Sequence, residues 1–220
     1  MMVGEFVAVA IVAYLLGAIP FGLIVGKLMG RVDITKYGSG KTGVTNVLRT
    51  TGTKAGILVA VLDLAKAIGA VMLAKVIVGD SVLLVAGFPL QWQVAQIVAA
   101  LMTMVGHNWS VFIKFRGGRG VATYFGGWLA IHPATALFGG GILLLTAFLT
   151  RYMSLGSILG VLGIWCLLVP LTIVYHFPPI YLVYALAAAV LIIYQHRDNI
   201  IRLQAGTELK LGDKNQKLDL

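Results

Sequence analysis

The sequence predicts an all-α fold, a polytopic integral membrane helical bundle of seven transmembrane helices, and composition and charge distribution carry that prediction. Of the 220 residues, 59% are hydrophobic and 11% are charged, and the mean hydropathy is +0.94. A soluble domain of this size could not hide so much apolar surface. Lysine and arginine are gathered in short segments between long apolar runs. This pattern is typical of a multi-pass membrane protein.

Five apolar runs are candidates for membrane-spanning helices, which need about 20 residues each. They cover residues 6–28, 55–78, 91–105, 158–174 and 180–194. The first run lacks the charged start and the small-residue cleavage site of a signal peptide. We therefore expect it to be retained as a helix.

A further apolar run, residues 121–149, is interrupted by a histidine and a proline and admits either one long broken helix or two helices. The positions of lysine and arginine decide between them. The loops at residues 31–54 and 106–120 are basic and should face the cytoplasm. Only a double crossing returns Arg151 and the basic tail from Arg197 to that same side. We therefore predict seven helices, with the N-terminus outside and the C-terminus inside.

The chain is predicted to form one membrane-embedded domain, residues 1–210, followed by a polar tail, residues 211–220. Its single cysteine, Cys166, lies in an apolar run, which excludes an intrachain disulfide and a cysteine-rich metal site. The sequence contains no His-x-x-x-x-Asp of coenzyme A-dependent acyltransferases, no G-x-S-x-G elbow and no H-E-x-x-H zinc pair. This absence suits a reaction whose substrates bring their own anions and their own activation.

The first polar loop contains Gly38-Ser39-Gly40-Lys41-Thr42-Gly43, which at first sight is similar to a nucleotide-binding loop. The spacing G-x-x-x-x-G-K-[ST] is not met, and the preceding segment is not a predicted strand, so ATP binding is not expected. Glycines still allow backbone N–H groups to converge on an anion, and further donors come from Ser39, Lys41, Thr42 and Thr45. The loop is a candidate phosphate site.

The loop at residues 106–120 ends in Arg116-Gly117-Gly118-Arg119-Gly120, which alternates guanidinium groups with glycines. Arginine can bind a phosphate through two parallel hydrogen bonds, and the helix that starts at Val121 adds positive potential. The alternative is that these arginines only mark the cytoplasmic side and contact lipid headgroups. Headgroup contact needs no special backbone, so the three glycines favour an anion site.

Two further polar segments carry candidate site residues. Residues 196, 199 and 203 share one helix face and Arg202 lies close to it, so an imidazole, an amide and a guanidinium could meet one ligand. Ser154 follows Arg151 in the other segment. The alternatives are that the serine caps a helix and that His196 is a hydrogen-bonded helix-end residue.

Two ionisable residues, Asp63 and Lys66, lie one helical turn apart inside the second apolar run. Charges within a membrane are candidates for function, but at this spacing they can pair with each other. We predict a structural ion pair.

These motifs, in this order, resemble those of the bacterial acyl-phosphate:glycerol-3-phosphate acyltransferase family, over about residues 8 to 210. The matching positions are Ser39-Gly40-x-x-Gly43-x-Thr45-Asn46, Gly106-His107, Arg116-Gly117-Gly118-Arg119-Gly120-Val121-Ala122-Thr123, Arg151 with Ser154 and Ser157, and His196-Arg197-x-Asn199-Ile200-x-Arg202-Leu203-x-x-Gly206-x-Glu208. Relative to the family's usual pattern, Lys41 stands in place of an asparagine, Ser110 in place of a proline, and Arg116 and Arg119 in place of lysines.

The resemblance implies an enzyme that transfers a fatty acyl group from acyl phosphate to the 1-hydroxyl of glycerol 3-phosphate, giving lysophosphatidic acid and phosphate for phospholipid synthesis. It implies a multi-pass protein of the bacterial cytoplasmic (inner) membrane with its active site facing the cytoplasm. The resemblance implies that no cofactor and no metal is needed. The expected partners are the two substrates and membrane lipid, with no nucleic acid and no obligatory protein partner. The alternative function is a transporter for a phosphorylated solute.

The resemblance also implies roles for individual residues. The expected catalytic residues are Ser39, Arg49, Arg119, His196 and Asn199. The expected substrate-binding residues are Gly38, Gly40, Lys41, Gly43, Thr45, Asn46, His107, Arg116, Gly117, Gly118, Gly120, Ser154 and Arg202. Glu208 is expected to be structural, as are Asp63 and Lys66. The base that removes the hydroxyl proton is either the phosphate of the substrate or His196.

Overall fold

The computed structural model describes residues 2–79, 83–85, 88–90 and 92–213. Helices make up most of these residues, and their bounds are α1 Met2–Ala18, α2 Phe21–Gly30, α3 Val44–Thr51, α4 Thr53–Val78, α5 Trp92–Asn108, α6 Val121–Ile131, α7 Pro133–Thr150, α8 Met153–Tyr175, α9 Ile180–Gln195 and α10 Arg197–Gln204. A small antiparallel pair, β1 Leu83–Val85 and β2 Phe88–Leu90, lies between α4 and α5. The predicted all-helical class is confirmed, apart from this short pair.

Several helices are long and apolar enough to cross a membrane. By this criterion four segments of the described residues qualify, and the bent pair α9 and α10, with an angle of 60°, can count as a fifth. Helix α6 is apolar but has only 11 residues. A membrane-embedded helical bundle is therefore confirmed, whereas seven crossings and their orientation remain predictions. Gln91, the predicted start of the third span, and residues 214–220 of the predicted tail lie outside the described residues.

The apolar run at residues 121–149 forms two helices that fold back on each other. Helix α6 ends at Ile131 and α7 begins at Pro133, with the His132 side chain accepting a hydrogen bond from the Thr135 N–H at the start of α7. Val121 and Met153 line the same cavity, although about 32 residues of continuous helix would separate them by roughly 48 Å. The chain must therefore reverse at His132, and a single continuous helix is excluded.

The first apolar run is broken into α1 and α2 at Pro20. Proline has no N–H and clashes with the preceding turn, so the helical hydrogen bonds stop there. The carbonyl groups of Gly17 and Ile19, near the break, instead accept hydrogen bonds from Lys66 Nζ at 2.8 and 3.1 Å. The break is thus joined directly to α4.

Close packing of α1 against α5 places the C-terminal end of α5 beside this break. A Cβ atom on Gly17 would lie 2.2 Å from the Thr103 carbonyl oxygen, and one on Gly106 would lie 2.2 Å from the Tyr14 carbonyl oxygen. Small residues of this kind allow membrane helices to approach closely. As a result, His107 near the end of α5 meets the polar residues of α4.

Candidate active site

A cavity of about 360 Å³ lies where α3, α4, α5, α6, α7, α8 and the α9–α10 junction meet. Most of the predicted catalytic and substrate-binding residues line it, namely Ser39, Lys41, Gly43, Thr45, Asn46, Arg49, His107, Arg119, Gly120, Ser154, His196 and Asn199. The remaining predicted residues lie outside its wall, and these are Gly38, Gly40, Arg116, Gly117, Gly118 and Arg202. The four polar segments of the sequence therefore meet at one site.

The first glycine loop is held in shape by Asn46. Its amide Nδ2 donates to the carbonyl oxygens of Ile34, Tyr37 and Lys41 at 3.0, 3.2 and 2.7 Å. Gly38 and Gly40 have φ angles of 55° and 65°, which favour glycine. The conformation of this loop therefore depends on the Asn46 amide. This structural role was not part of the prediction, which assigned Asn46 to substrate binding.

The second glycine loop packs against the end of α5. A Cβ atom on Gly117 would lie 2.1 Å from the His107 carbonyl oxygen, and one on Gly118 would lie 2.0 Å from His107 Nε2. The Gly118 N–H donates to the His107 carbonyl oxygen at 3.0 Å, and the Thr42 N–H donates to the Gly117 carbonyl oxygen at 3.3 Å. Gly117 and Gly118 are therefore required by close contact, and they connect α5 with the first loop.

The cations at the mouth of the cavity come from different loops. Arg119 donates through Nε to the Gln195 carbonyl oxygen at 3.2 Å, and burial, with Arg202 nearby, lowers its pKa to about 10. Burial lowers the pKa of Lys41, and the neighbouring Arg119 lowers it further. Arg119 stays charged at neutral pH. Positive charges brought together in this way attract an anion.

Glu208 joins three predicted site residues, the catalytic candidate Asn199 and the substrate-binding candidates Ser154 and Arg202. Its Oε1 accepts hydrogen bonds from Ser154 Oγ at 2.8 Å and from Asn199 Nδ2 at 2.6 Å, and its Oε2 accepts one from Arg202 Nε at 2.8 Å. Burial acts to raise the pKa of Glu208, but the hydrogen bonds from Asn199, Ser154 and Arg202 together lower it. Glu208 is thus an anionic hub that orders one wall of the cavity.

The segment around Glu208, residues 207–213 (the C-terminal segment), is also held by two arginines. Arg49 Nη2 donates to the carbonyl oxygens of Leu209 and Lys210 at 2.7 and 3.3 Å. Arg151 donates to the Leu211 carbonyl oxygen from Nε and Nη2, at 3.1 and 2.6 Å. The predicted polar tail is therefore attached to the rest of the protein at its first residue, Leu211.

His196 lies just after α9, with 3% of its surface exposed. Its Nδ1 is 2.8 Å from the Ile192 carbonyl oxygen, and because a carbonyl can only accept, Nδ1 carries a proton. Burial and the nearby Arg119 lower the pKa of His196 to about 4. The imidazole is therefore neutral at neutral pH, and its unprotonated Nε2 can accept a proton.

The other side of the cavity is apolar. It is formed by Leu64, Phe125, Leu143, Leu144 and Met153, from four different helices and their ends. These residues could not be recognised in the sequence, because an apolar side chain that faces a cavity looks the same as one that faces lipid. The cavity as a whole is amphipathic, because both cationic and apolar side chains line it.

Three ionisable residues from α4 and α5 form a buried cluster beside the second glycine loop. Lys66 Nζ lies 2.8 Å from Asp63 Oδ1, so the predicted ion pair is present. His107 Nδ1 lies 3.1 Å from Lys66 Nζ and 3.5 Å from Asp63 Oδ1. Asp63 and His107 also line the cavity, which the prediction of a purely structural Asp63 did not include.

A model of the family described as "Glycerol-3-phosphate acyltransferase" matches residues 7–206. The chain belongs to this family. It is 49% identical over 216 residues to "Glycerol-3-phosphate acyltransferase 3" of Dehalococcoides mccartyi (strain ATCC BAA-2266 / KCTC 15142 / 195), which covers 98% of this chain and 100% of that protein. It is 42% identical over 206 residues to "Glycerol-3-phosphate acyltransferase 2" of Moorella thermoacetica (strain ATCC 39073 / JCM 9320), with coverage of 93% and 97%.

Solved structures of the family have the same fold. The glycerol 3-phosphate form of PlsY (YgiH), an integral membrane glycerol 3-phosphate acyltransferase, superposes with a TM-score of 0.80 at 37% identity, covering 94% of this chain and 96% of that one. The lysophosphatidic acid form of PlsY gives a TM-score of 0.78, also at 37% identity, with coverage of 94% and 95%. Membership of this family identifies the chain as an acyltransferase and disfavours the alternative of a solute transporter.

Proposed function

We propose that this enzyme transfers a fatty acyl group from acyl phosphate to the 1-hydroxyl of glycerol 3-phosphate, forming lysophosphatidic acid and inorganic phosphate. The amphipathic cavity is the observation that carries the proposal. Its cationic side, with Lys41, Arg49 and Arg119, suits two phosphate groups, and its apolar side, with Phe125 and Leu143, suits a fatty acyl chain. The solved glycerol 3-phosphate and lysophosphatidic acid forms of PlsY support the same acceptor and product.

The first requirement of this reaction is to bring together two anions that repel each other. Each hydrogen bond between a charged side chain and a phosphate contributes about 1.5 to 3 kcal/mol, so three or four such contacts offset the repulsion. Arg49 and Arg119 are the candidates for direct contact, with Lys41 adding charge. Holding both reactants in a fixed geometry also removes much of the entropic cost of their encounter.

The bond changes are those of acyl transfer. The glycerol oxygen attacks the acyl carbonyl carbon, the bond from that carbon to the phosphate oxygen breaks, and the phosphate leaves with the electron pair. Acyl phosphate is a mixed anhydride, so its leaving group needs no metal. The hydroxyl proton passes either to the phosphate of glycerol 3-phosphate, whose second pKa is about 6, or to Nε2 of His196.

We propose the first acceptor for this proton, with His196 as a hydrogen-bonding residue. The His196 imidazole has its pKa lowered to about 4, which makes it a weak base when the site holds no anion. Substrate phosphate would have to raise that pKa, by compensating Arg119, before His196 could hold the proton. A phosphate close to the hydroxyl needs no such adjustment.

We further place the enzyme in the bacterial cytoplasmic membrane with seven crossings, its N-terminus outside and its site toward the cytoplasm. Concentration of basic residues around the cavity supports this orientation, because lysine and arginine accumulate on the cytoplasmic side. Substrates made in the cytoplasm would then reach the cationic side of the cavity directly.

The test of the proposed function is a two-donor assay with the purified protein in detergent or vesicles. We expect release of lysophosphatidic acid and phosphate from palmitoyl phosphate and glycerol 3-phosphate, without added metal and in the presence of a chelator. Palmitoyl-coenzyme A should give no product. Comparable rates with the two donors would contradict the proposal, as would a requirement for metal.

A further inference from the structure

His107 has one ring nitrogen in the buried cluster and the other facing the second glycine loop and the cavity. Only 7% of the residue is exposed. Its Nδ1 is the ring atom that contacts the cluster, and within the described residues Nε2 has no hydrogen-bond partner. The absence of a side chain at Gly118 leaves Nε2 uncovered, since a Cβ there would lie 2.0 Å from it. Whether Nε2 donates or accepts a hydrogen bond depends on which ring nitrogen carries the proton.

Lys66 decides the position of that proton. An ammonium group has three N–H donors and no acceptor. Lys66 Nζ contacts three acceptors with hydrogen-bond geometry, the carbonyl oxygens of Gly17 and Ile19 and the Nδ1 of His107, at 2.8, 3.1 and 3.1 Å. Asp63 Oδ1 is as close to Nζ, at 2.8 Å, so the ammonium group has four acceptors for three protons. Since Nζ itself cannot accept, a hydrogen bond across its 3.1 Å contact with His107 requires Nδ1 to be the acceptor. Neutral His107 then carries its proton on Nε2.

Asp63 does not compete for the ring. Its Oδ1 is 3.5 Å from Nδ1, a longer contact than the 3.1 Å between Nδ1 and Lys66 Nζ. Asp63 instead neutralises Lys66 as an ion pair at 2.8 Å. An imidazolium would add an uncompensated positive charge to this buried pair, which low-polarity surroundings disfavour. The cluster therefore keeps His107 neutral.

We propose that Lys66 holds His107 as the Nε2–H tautomer and that this N–H donates a hydrogen bond to the acyl carbonyl oxygen as negative charge develops on it. This inference rests on the proposed function. His107 would be a catalytic residue that stabilises the oxyanion, and Lys66 would be a positioning residue that acts through the ring.

The carbonyl oxygen is a better partner for Nε2 than either phosphate. Asp63, which lines the cavity beside His107, is paired with Lys66, so this part of the wall offers a phosphate dianion no net positive charge. The phosphates are attracted instead to Lys41, Arg49 and Arg119. An acyl phosphate with its chain against the apolar residues and its phosphate among these cations would leave its carbonyl group to a neutral donor of the same cavity wall, and His107 is such a donor.

The tautomer can be measured without any assay of activity. His107 becomes the only histidine when His132, His176 and His196 are replaced by asparagine. The nitrogen chemical shifts and couplings of ¹⁵N-labelled histidine then show which ring nitrogen carries the proton in the purified protein. We expect a neutral ring with the proton on Nε2. A proton on Nδ1 would make Nε2 a base and overturn the proposal, and so would an imidazolium at neutral pH.

A paired substitution tests the part assigned to Lys66. Asp63→Leu combined with Lys66→Met removes both charges together, so no unpaired charge is left in the interior. In the single-histidine background this change should give a mixture of the two tautomers. An unchanged Nε2–H tautomer would overturn the role of Lys66.

Steady-state kinetics test the hydrogen bond to the carbonyl. His107→Phe keeps a ring beneath Gly118 but removes the donor, and loss of one such donor lowers kcat by about 10²- to 10³-fold. His107→Gln can place an amide N–H near the position of Nε2 and should recover at least part of that loss. The KM values of both substrates should change by less than about threefold, since the bond forms in the transition state. A loss confined to KM, or an unchanged kcat, would contradict the proposal.

Failure of the proposed function would be recognised separately. Wild-type protein that forms no lysophosphatidic acid from acyl phosphate refutes the reaction itself. In that case the tautomer measurement still tests the link between Lys66 and His107. Should His107→Phe fail to fold, His107→Gln serves as the kinetic variant, and a wild-type value of KM with a lower kcat supports the donor role.

Discussion

Arg49 donates a hydrogen bond to the Leu209 carbonyl oxygen at 2.7 Å, across 160 positions of the sequence. This contact ties α3 to the C-terminal segment, and the neighbouring Glu208 ties the same segment to α8 and α10. A predicted catalytic arginine therefore also has a structural contact. Any substitution at Arg49 removes both, so the segment is better tested through Glu208.

Replacement of Glu208 should destabilise the protein. Glu208→Ala leaves Ser154, Asn199 and Arg202 without their shared acceptor, and the Glu208 side chain is only 4% exposed. We expect a fall of several degrees in the unfolding temperature, measured in detergent, together with loss of activity. Asp198→Asn, at an exposed position of α10, is the matched control and should change neither. An unfolding temperature unaffected by Glu208→Ala would show that the hub does not order the site.

The same carboxylate should make stability depend on pH. The pKa of Glu208 lies below its ordinary value of 4.5, because hydrogen bonds from Asn199, Ser154 and Arg202 outweigh burial. A group with a lowered pKa in the folded state stabilises the fold above its unfolded pKa, and this contribution is lost as the pH falls through the folded pKa. The unfolding temperature should therefore fall on acidification below about pH 4.5. Glu208→Gln should show a shallower fall over that range.

Lys41 should assist binding and not chemistry. It lies at the mouth of the cavity and is partly solvated, so its contact with a phosphate is worth about 1 kcal/mol. Lys41→Asn should change KM for one substrate by about five- to tenfold and leave kcat nearly unchanged. Arg119→Ala should be far more damaging, because Arg119 is partly buried and donates a hydrogen bond to the Gln195 carbonyl oxygen. Kinetics at low salt and matched expression test this ranking of the two variants. A loss of kcat in Lys41→Asn that is absent from Arg119→Ala would contradict it.

The two glycine loops should differ in their tolerance of alanine. A Cβ atom on Gly117 would lie 2.1 Å from the His107 carbonyl oxygen, whereas one on Gly43 would meet only the Gly118 Cα atom at 3.9 Å. Gly117→Ala should therefore displace the second loop and lower kcat/KM by more than about 100-fold, and Gly43→Ala by less than about tenfold. Equal effects of the two substitutions would mean that contact with α5 does not set the loop position.

The proposed orientation can be tested with single cysteines in a Cys166→Ala background. Exposed positions suit this test, so we choose Lys36→Cys, Lys114→Cys, Asp198→Cys and His176→Cys. In intact cells an impermeant thiol reagent should label the cysteine at position 176 and leave the other three unlabelled until the membrane is opened. Labelling of the cysteine at position 198 from outside would exclude the orientation with seven crossings.

The sequence located the site because its polar motifs stand out in an apolar chain. It could not show how those motifs share their contacts. The bond between Ser154 and Glu208 spans 54 residues, and the position of His107 beside Lys66 depends on how α1, α4 and α5 pack. The apolar wall, with Phe125 among its members, could not be found either, since hydrophobic residues of a membrane helix face lipid, protein or substrate with the same composition.

The break at Pro20 has a consequence for how the protein is assembled. The chain is made from its N-terminal end, so α1, the break and α2 precede α4 into the bilayer. An ion pair is costly in hydrocarbon unless polar partners are close. The carbonyl groups of Gly17 and Ile19 are those partners for Lys66, and they are in place before it is synthesised, whereas His107 follows later. We therefore expect the order of translation to keep the Lys66 ammonium group out of contact with lipid, because the break at Pro20 has already exposed the carbonyl groups that accept its hydrogen bonds.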